Sequence, residues 1–144
     1  MRKRKDENII VSQWQSCVEM LNAVNQRRDN MNDRFCAINT AVIAAISFVW
    51  DIRTIALIAV GLIICIIWIK LILNFREIKR ERYKVIKSLE KNLPANVFSE
   101  EWNCLRNNRR YKEGTNIEVK LPLCFMILYL VLIYVIIILH FDIL

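Results

Sequence analysis

The sequence predicts an all-α membrane protein: a long helical hairpin that extends from the membrane into the cytosol, followed by a third, C-terminal transmembrane helix. Of its 144 residues, 56% are apolar, which exceeds the roughly 45–50% usual for soluble domains. Charged residues make up 24%, and they are separated from the apolar residues into blocks. Two glycines and two prolines leave little material for the turns of a β sandwich or barrel. The length fits a single domain.

Three apolar segments predict three membrane spans. Residues 121–141 contain no charge and reach the roughly 20 residues that cross a bilayer. Residues 55–73 are interrupted only by Lys70, whose long side chain can reach the headgroups. Residues 36–52 form the shortest and most polar of the three predicted spans, and they contain Asn39, Thr40 and Ser47.

The distribution of basic residues predicts the orientation. Residues 1–34 hold seven Lys and Arg, residues 70–120 hold thirteen, and the hairpin tip holds one, Arg53. The positive-inside rule then places both basic blocks in the cytosol and the C-terminus on the outside. A cytosolic amphipathic helix is expected over 1–34, and a cytosolic helix with a basic loop over 74–120. Trp50 and Trp68, near the two ends of the hairpin, are expected at the membrane interface.

The first two helices are expected to be longer than the membrane is thick. No Gly or Pro occurs between Glu7 and Val60, which predicts one helix from about Asn8 to Trp50. The second helix is expected from Thr54 to Leu93, where Pro94 follows. A short helix beginning at Ser99, a basic loop over 106–114 and the last span complete the chain.

Polar side chains follow one face of the first helix at alternating spacings of three and four, which is a heptad pattern. An unpaired amide in hydrocarbon is costly, so this polar seam needs partners. It either packs against the second helix within one subunit, or lies between subunits and lines a central water-filled path. In the second case Asn39, Thr40 and Ser47 face the path. The heptad positions are Asn22, Asn25, Asp29, Asn32, Cys36 and Asn39.

The second helix carries a basic ridge. Its residues are either a solvated face that touches anionic lipid, or a binding surface for a nucleotide or single-stranded nucleic acid. In the second case cations would hold the phosphates, and Trp102 and Tyr111 would stack on bases. The ridge consists of Arg76, Arg80, Lys84, Lys87 and Lys91, with Arg106, Arg109 and Arg110 beyond it.

The residues that would indicate an enzyme do not form a recognisable set. Five scattered cysteines and a single histidine, His140, give no metal-binding spacing. The sequence also lacks a phosphate-binding glycine loop, a dinucleotide fingerprint and a nucleophile motif. We therefore expect a non-enzymatic protein without metal or cofactor.

Several stretches resemble a widespread, mostly uncharacterised family of bacterial small integral membrane proteins, over most of residues 16–140. They are 68–75, 82–94, 98–102, 18–20, 25–29 and 39–41, while the loop over 106–114 has no clear match. By architecture the chain is similar to membrane effectors of anti-phage systems, such as the Hailong channel effector. We expect a symmetric homo-oligomer, with four subunits as a guess from small helical channels. The likeness implies control by single-stranded DNA or a nucleotide messenger from a companion nucleotidyltransferase or sensor.

These expectations combine into two functional hypotheses. The first is an oligomeric inner-membrane effector of antiviral defence by abortive infection. It forms an ion-conducting or depolarising pore that is gated by a nucleotide or nucleic-acid signal on the basic cytosolic helices. The second is a non-conducting membrane anchor that docks a soluble partner.

Overall fold

A computed structural model describes residues 2–48, 54–93, 97–107 and 117–142 of the chain. In these ranges the regular structure is entirely helical, which confirms the predicted class. Helix α1 spans Arg2–Phe48 and α2 spans Ile55–Glu90. Helix α3 spans Val97–Asn107 and α4 spans Lys120–Asp142. Helix α1 begins before the expected Asn8 because Arg, Lys and Glu in residues 2–7 are good helix formers.

Within the described part of the chain, two helices, α2 and α4, are long and apolar enough to cross a membrane. They contain the two strongest of the three predicted spans. Helix α1 does not reach the same apolar content, because Asn39, Thr40 and Ser47 interrupt its apolar half.

Contacts divide the chain into two compact units, and the division falls inside helices α1 and α2. The charged unit comprises residues 1–28 and 74–113. The apolar unit comprises residues 29–73 and 114–144. Each unit has buried residues of its own.

The charged unit is held together by aliphatic packing and by the attachment of α3. Leu21, Val24 and Ile86 are buried. Phe98, in the first turn of α3, lies edge-on to Trp14, with ring centroids 5.9 Å apart. Its ring is also edge-on to Tyr83, with centroids 6.3 Å apart. Such aromatic pairs add about 0.5–1.5 kcal/mol each to the area that they bury.

The apolar unit packs α1, α2 and α4 around one core. Gly61 of α2 permits the closest approach: a Cβ there would lie 2.6 Å from Oη and 2.8 Å from Cε1 of Tyr129. The missing side chain therefore lets the tyrosine ring of α4 lie against the backbone of α2. The buried residues of this core are Ile46, Ile58, Cys65, Tyr129 and Ile136.

Candidate functional site

Asn39 is the polar centre of the apolar unit. Its side chain is fully buried at 0% exposure. Its Oδ1 accepts hydrogen bonds from Tyr129 Oη at 3.0 Å and from Cys65 Sγ at 3.3 Å. Its Nδ2 donates to the Phe35 carbonyl of its own helix at 2.8 Å. One amide therefore links three helices, and its capacity is largely satisfied, as a polar group in an apolar core requires. We call Asn39, Cys65 and Tyr129 the amide hub.

A second polar contact lies about two turns from the amide hub along α1. Asn32 Oδ1 accepts a hydrogen bond of 2.8 Å from Trp68 Nε1. The Trp68 ring stacks on Phe35, with centroids 5.6 Å apart, and lies 6.1 Å from the Phe125 ring. Trp50 lies outside the described residues, and the interfacial position expected of both tryptophans stays a prediction. Trp68 itself is fully buried within the subunit. Its indole N–H is satisfied by Asn32 instead of by lipid headgroups or water.

Thr40 and Ser47 occupy the exposed side of α1. Thr40 Oγ1 donates to the Cys36 carbonyl at 2.9 Å, and Ser47 Oγ donates to the Ile43 carbonyl at 3.0 Å. Both hydroxyls are thus bonded to the carbonyl four residues earlier on their own helix. Small residues share this exposed side of α1, and they are Ala37, Ala41, Ala44 and Ala45.

The predicted polar seam is therefore divided between two environments. Asn32 and Asn39 bond to residues of the same chain, which corresponds to the first of the two alternatives considered for the seam. In the charged unit, Asn22 is exposed and Asn25 is half-buried. The buried Oδ1 of Asn25 finds no hydrogen-bond donor among the described residues. Asp29 is exposed at the start of the apolar unit.

The basic ridge lies on the surface of α2. Arg76, Arg80, Lys84 and Lys87 are all exposed. Lys84 Nζ lies 2.6 Å from a Glu81 carboxylate oxygen, and Arg80 lies 3.8 Å from Glu77. These exposed pairs on neighbouring turns contribute little stability, and they offset part of the positive charge. Arg106 is part of helix α3, while Arg109 and Arg110 lie outside the described residues.

Glu90, the last residue of α2, holds the start of α3. Its side chain is 1% exposed. The carboxylate accepts hydrogen bonds from the backbone N–H of Phe98 at 2.8 Å and of Ser99 at 3.1 Å. It also accepts one from Ser99 Oγ at 3.0 Å. Ser99 was expected to begin this helix. The structure shows instead that Glu90 satisfies the free N–H groups of its first turn, where negative charge is favoured.

Sequence reasoning did not identify Cys65, Tyr129 or Glu90. Tyr129 had a weak signal, because it places a hydroxyl inside a span that has no charge. Cys65 and Glu90 had none, since neither stands in a motif. Among the described residues, no group of three or more His, Cys, Asp and Glu side chains is placed to hold a metal ion.

Comparison with known proteins shows the family of the chain. The sequence model of the octameric membrane protein family (8xMP) matches residues 11–138. The matched segment contains the amide hub, the basic ridge and α3. No curated protein and no solved structure matches the chain.

Proposed function

Because the chain belongs to the octameric membrane protein family, we propose that it assembles as an octamer in the bacterial inner membrane and conducts ions there. The family is described as octameric, in place of the four subunits guessed from the sequence. In this proposal the protein is a non-enzymatic effector of anti-phage defence, similar in role to the Hailong channel effector. A nucleotide or nucleic-acid signal controls the path.

The proposal has α1 crossing the membrane together with α2 and α4. Arg34 of α1 and Lys70 of α2 each lie five residues from the hub residue of their own helix, which is about 7.5 Å of helix rise. Lys120 of α4 lies nine residues from Tyr129, or about 13.5 Å. Helix α1 continues for nine residues beyond Asn39, to Phe48. The amide hub would then lie well inside the hydrocarbon, with one basic residue of each helix at the cytosolic boundary.

One observation carries the conduction proposal: the exposed sides of α1 and α4 differ in chemistry. Helix α4 exposes large aliphatic side chains, which suit lipid; they include Ile127, Leu128, Leu130 and Val131. At the same depth α1 exposes Thr40 and Ser47 with several alanines. Small and hydroxyl side chains in a span usually face other helices or a water-filled cavity. We therefore assign α1 to the inside of the octamer and α4 to its lipid-facing outside.

Gating is assigned to the charged unit. The basic ridge is exposed, and Glu77 and Glu81 offset part of its positive charge. Helices α1 and α2 both run through the charged unit and the apolar unit without interruption. A ligand can bias the path only if it binds one conformation of these helices more tightly than the other.

Conduction is tested by reconstituting the purified octamer in planar bilayers and recording current. Ala37→Leu combined with Ala44→Leu should change the unitary conductance, because both side chains lie in the middle of the exposed side of α1, roughly opposite the buried Asn39. Cys124→Leu on the exposed surface of α4 is the matched control, and it should leave conductance unchanged. An intact octamer that passes no current, with or without single-stranded DNA or nucleotides, would refute conduction.

Ligand binding is tested separately with a fluorescent single-stranded oligonucleotide and the detergent-solubilised protein. Lys87→Glu should weaken binding, and added salt should weaken it further through counterion release. Glu101→Lys on α3 changes charge by the same amount in the opposite direction, outside the ridge, and should not weaken binding. Salt-independent binding, or none, would remove the nucleic-acid signal from the proposal.

The alternative function is a non-conducting anchor, and one observation favours it. Ile78 and Val85 are 37% and 51% exposed and lie seven residues apart, on one face of α2 in the charged unit. An apolar pair on an otherwise charged helix suits a docked partner. Val85→Asp would abolish capture of that partner without changing membrane potential. If Val85→Asp impairs depolarisation but still captures the partner, the channel is favoured over the anchor.

A further inference from the structure

Helix α1 carries opposite charges side by side on its exposed surface. Asp33 and Arg34 are both exposed, and neither forms an ion pair within the described part of the chain. They stand about 7–9 Å along the helix from Asn39. A pair of opposite charges that is unused within the subunit, close to the membrane boundary, needs an explanation in the assembly.

The rotation of the helix places these charges on two different flanks. Each residue turns an α-helix by about 100°. Measured from the buried direction of Asn39, an acidic flank lies at about 80–120° and contains Asp29, Asp33, Thr40 and Ser47. A basic flank lies at about 200–240° and contains Arg34, Ala41 and Ala45. The two flanks are thus separated by roughly 125° across the exposed side of the helix.

We propose that the acidic flank of α1 in one subunit binds the basic flank of α1 in the next, which closes the ring of subunits. This inference rests on the proposed octamer and names its contact surface. The occupant of each flank is a second copy of this chain. Asp33 of one copy pairs with Arg34 of its neighbour, and Thr40 and Ser47 pack against Ala41 and Ala45.

Three features favour a second copy over any other partner. Cyclic symmetry holds every α1 at the same height, and Asp33 and Arg34 differ by only about 1.5 Å of rise. The membrane-level residues of both flanks are small or hydroxyl-bearing, which lets two helix backbones approach closely. Finally, the two flanks are separated by roughly 125°. In an eight-membered ring, the directions from one subunit to its two neighbours differ by ~135°, so head-to-tail contacts through these flanks would close the ring.

The contact is tested by charge exchange, with native mass spectrometry as the readout of subunit number. Asp33→Arg and Arg34→Asp should each dissociate the octamer, because each places like charges in every contact. Losing an exposed ion pair typically lowers the association constant of one contact about threefold, and this factor applies at every contact of the ring. The double variant Asp33→Arg with Arg34→Asp should restore the octamer, since the pair is reversed but complementary. Glu101→Arg on α3 is the control and should remain octameric.

Co-expression of the two single variants gives a sharper result. A copy with Asp33→Arg has two basic residues at positions 33 and 34, and a copy with Arg34→Asp has two acidic ones. Strict alternation would make every contact complementary in a ring with an even number of subunits. We expect mixed octamers with equal numbers of the two copies, although neither copy assembles alone.

Octameric single variants, a double variant that stays dissociated, or failure of the two single variants to co-assemble would each overturn the contact. Misfolding alone cannot mimic the expected pattern, because both restored species contain the same substitutions. The readout is subunit number, so it is independent of conduction. An octamer that responds to charge exchange but passes no current would refute the channel and leave the contact in place.

Discussion

In each of the two units a fully buried polar side chain bonds across helices, and the two side chains use different chemistry. In the apolar unit the group is the neutral amide of Asn39, which joins three helices. In the charged unit it is the carboxylate of Glu90, which accepts three hydrogen bonds from the start of α3. A carboxylate at the edge of a unit can draw on backbone N–H groups and a helix dipole. A group in an apolar core has few donors, so a neutral amide is the less costly choice.

The largest effect on stability should come from placing a buried carboxylate, like that of Glu90, at position 39 of the apolar unit. Asn39→Asp would put a carboxylate next to Cys65 and Tyr129. A carboxylate has no N–H group, so it cannot donate the hydrogen bond that Asn39 gives to the Phe35 carbonyl. We expect the subunit to lose about 3 kcal/mol, because a buried ionised group with too few partners carries its full desolvation penalty. Unfolding in sodium dodecyl sulfate, followed by tryptophan fluorescence, measures this loss.

Asn30→Asp is the matched control for this substitution. It makes the same amide-to-acid change on the same helix, but at an exposed position. It should change stability by less than about 0.5 kcal/mol. Equal losses in the two variants would mean that the burial of Asn39 is not what makes the apolar unit intolerant of charge.

A somewhat smaller effect should follow from disturbing the amide hub through shape alone. Gly61→Ala would force the Tyr129 ring away from α2, and its hydroxyl away from Asn39. We expect a loss of about 1–3 kcal/mol in the same unfolding measurement, as for other overpacked cores. In a Tyr129→Leu background the same alanine should cost less than about 1 kcal/mol, because the ring that it would meet is gone. If Gly61→Ala costs the same in both backgrounds, its cost does not come from contact with the Tyr129 ring.

In the charged unit, loss of the buried carboxylate should unfold helix α3 alone and leave the rest of the unit folded. Glu90→Ala removes the acceptor for the backbone N–H groups of Phe98 and Ser99, so helix α3 should lose its cap. A cap is worth about 1–2 kcal/mol, which corresponds to roughly 5–30-fold faster hydrogen exchange. Mass spectrometry should find this increase over residues 97–107 and no change over α4. Glu81→Ala, on the exposed surface of α2, should leave both segments unchanged.

The two units also differ in how much of them could be predicted from sequence. The absence of Gly and Pro over residues 7–60 correctly indicated a helix that is longer than a membrane. The apolar runs correctly indicated α2 and α4 as candidate spans. The resemblance to a small membrane-protein family and the expectation of self-association are confirmed by the family match. Local patterns were sufficient here because helices form from local contacts.

Partners across the chain could not be predicted in the same way. The heptad pattern of α1 indicated that Asn39 shares a face with Asn32, and that this face needs hydrogen-bond partners. It could not show that the partner of Asn39 is Tyr129, 90 residues later, because any hydroxyl or thiol on a facing helix would serve. The link between Glu90 and Ser99 was hidden for a related reason. Ser99 is itself a common cap residue, so the pattern offered a sufficient explanation without Glu90.

The smallest effect is expected on the exposed side of α1, and it separates the subunit from the assembly. Thr40→Val keeps the shape of the side chain and removes a hydroxyl that bonds only to the Cys36 carbonyl of its own helix. Ser47→Ala removes the hydroxyl that donates to the Ile43 carbonyl. Since those carbonyls already lie within the hydrogen-bonded helix, the isolated subunit should change by less than about 0.5 kcal/mol in its unfolding free energy. A loss above about 1 kcal/mol would show that these hydroxyls stabilise the subunit itself. The exposed side of α1 would then be part of the subunit's own packing, and its assignment to contacts between subunits would fail.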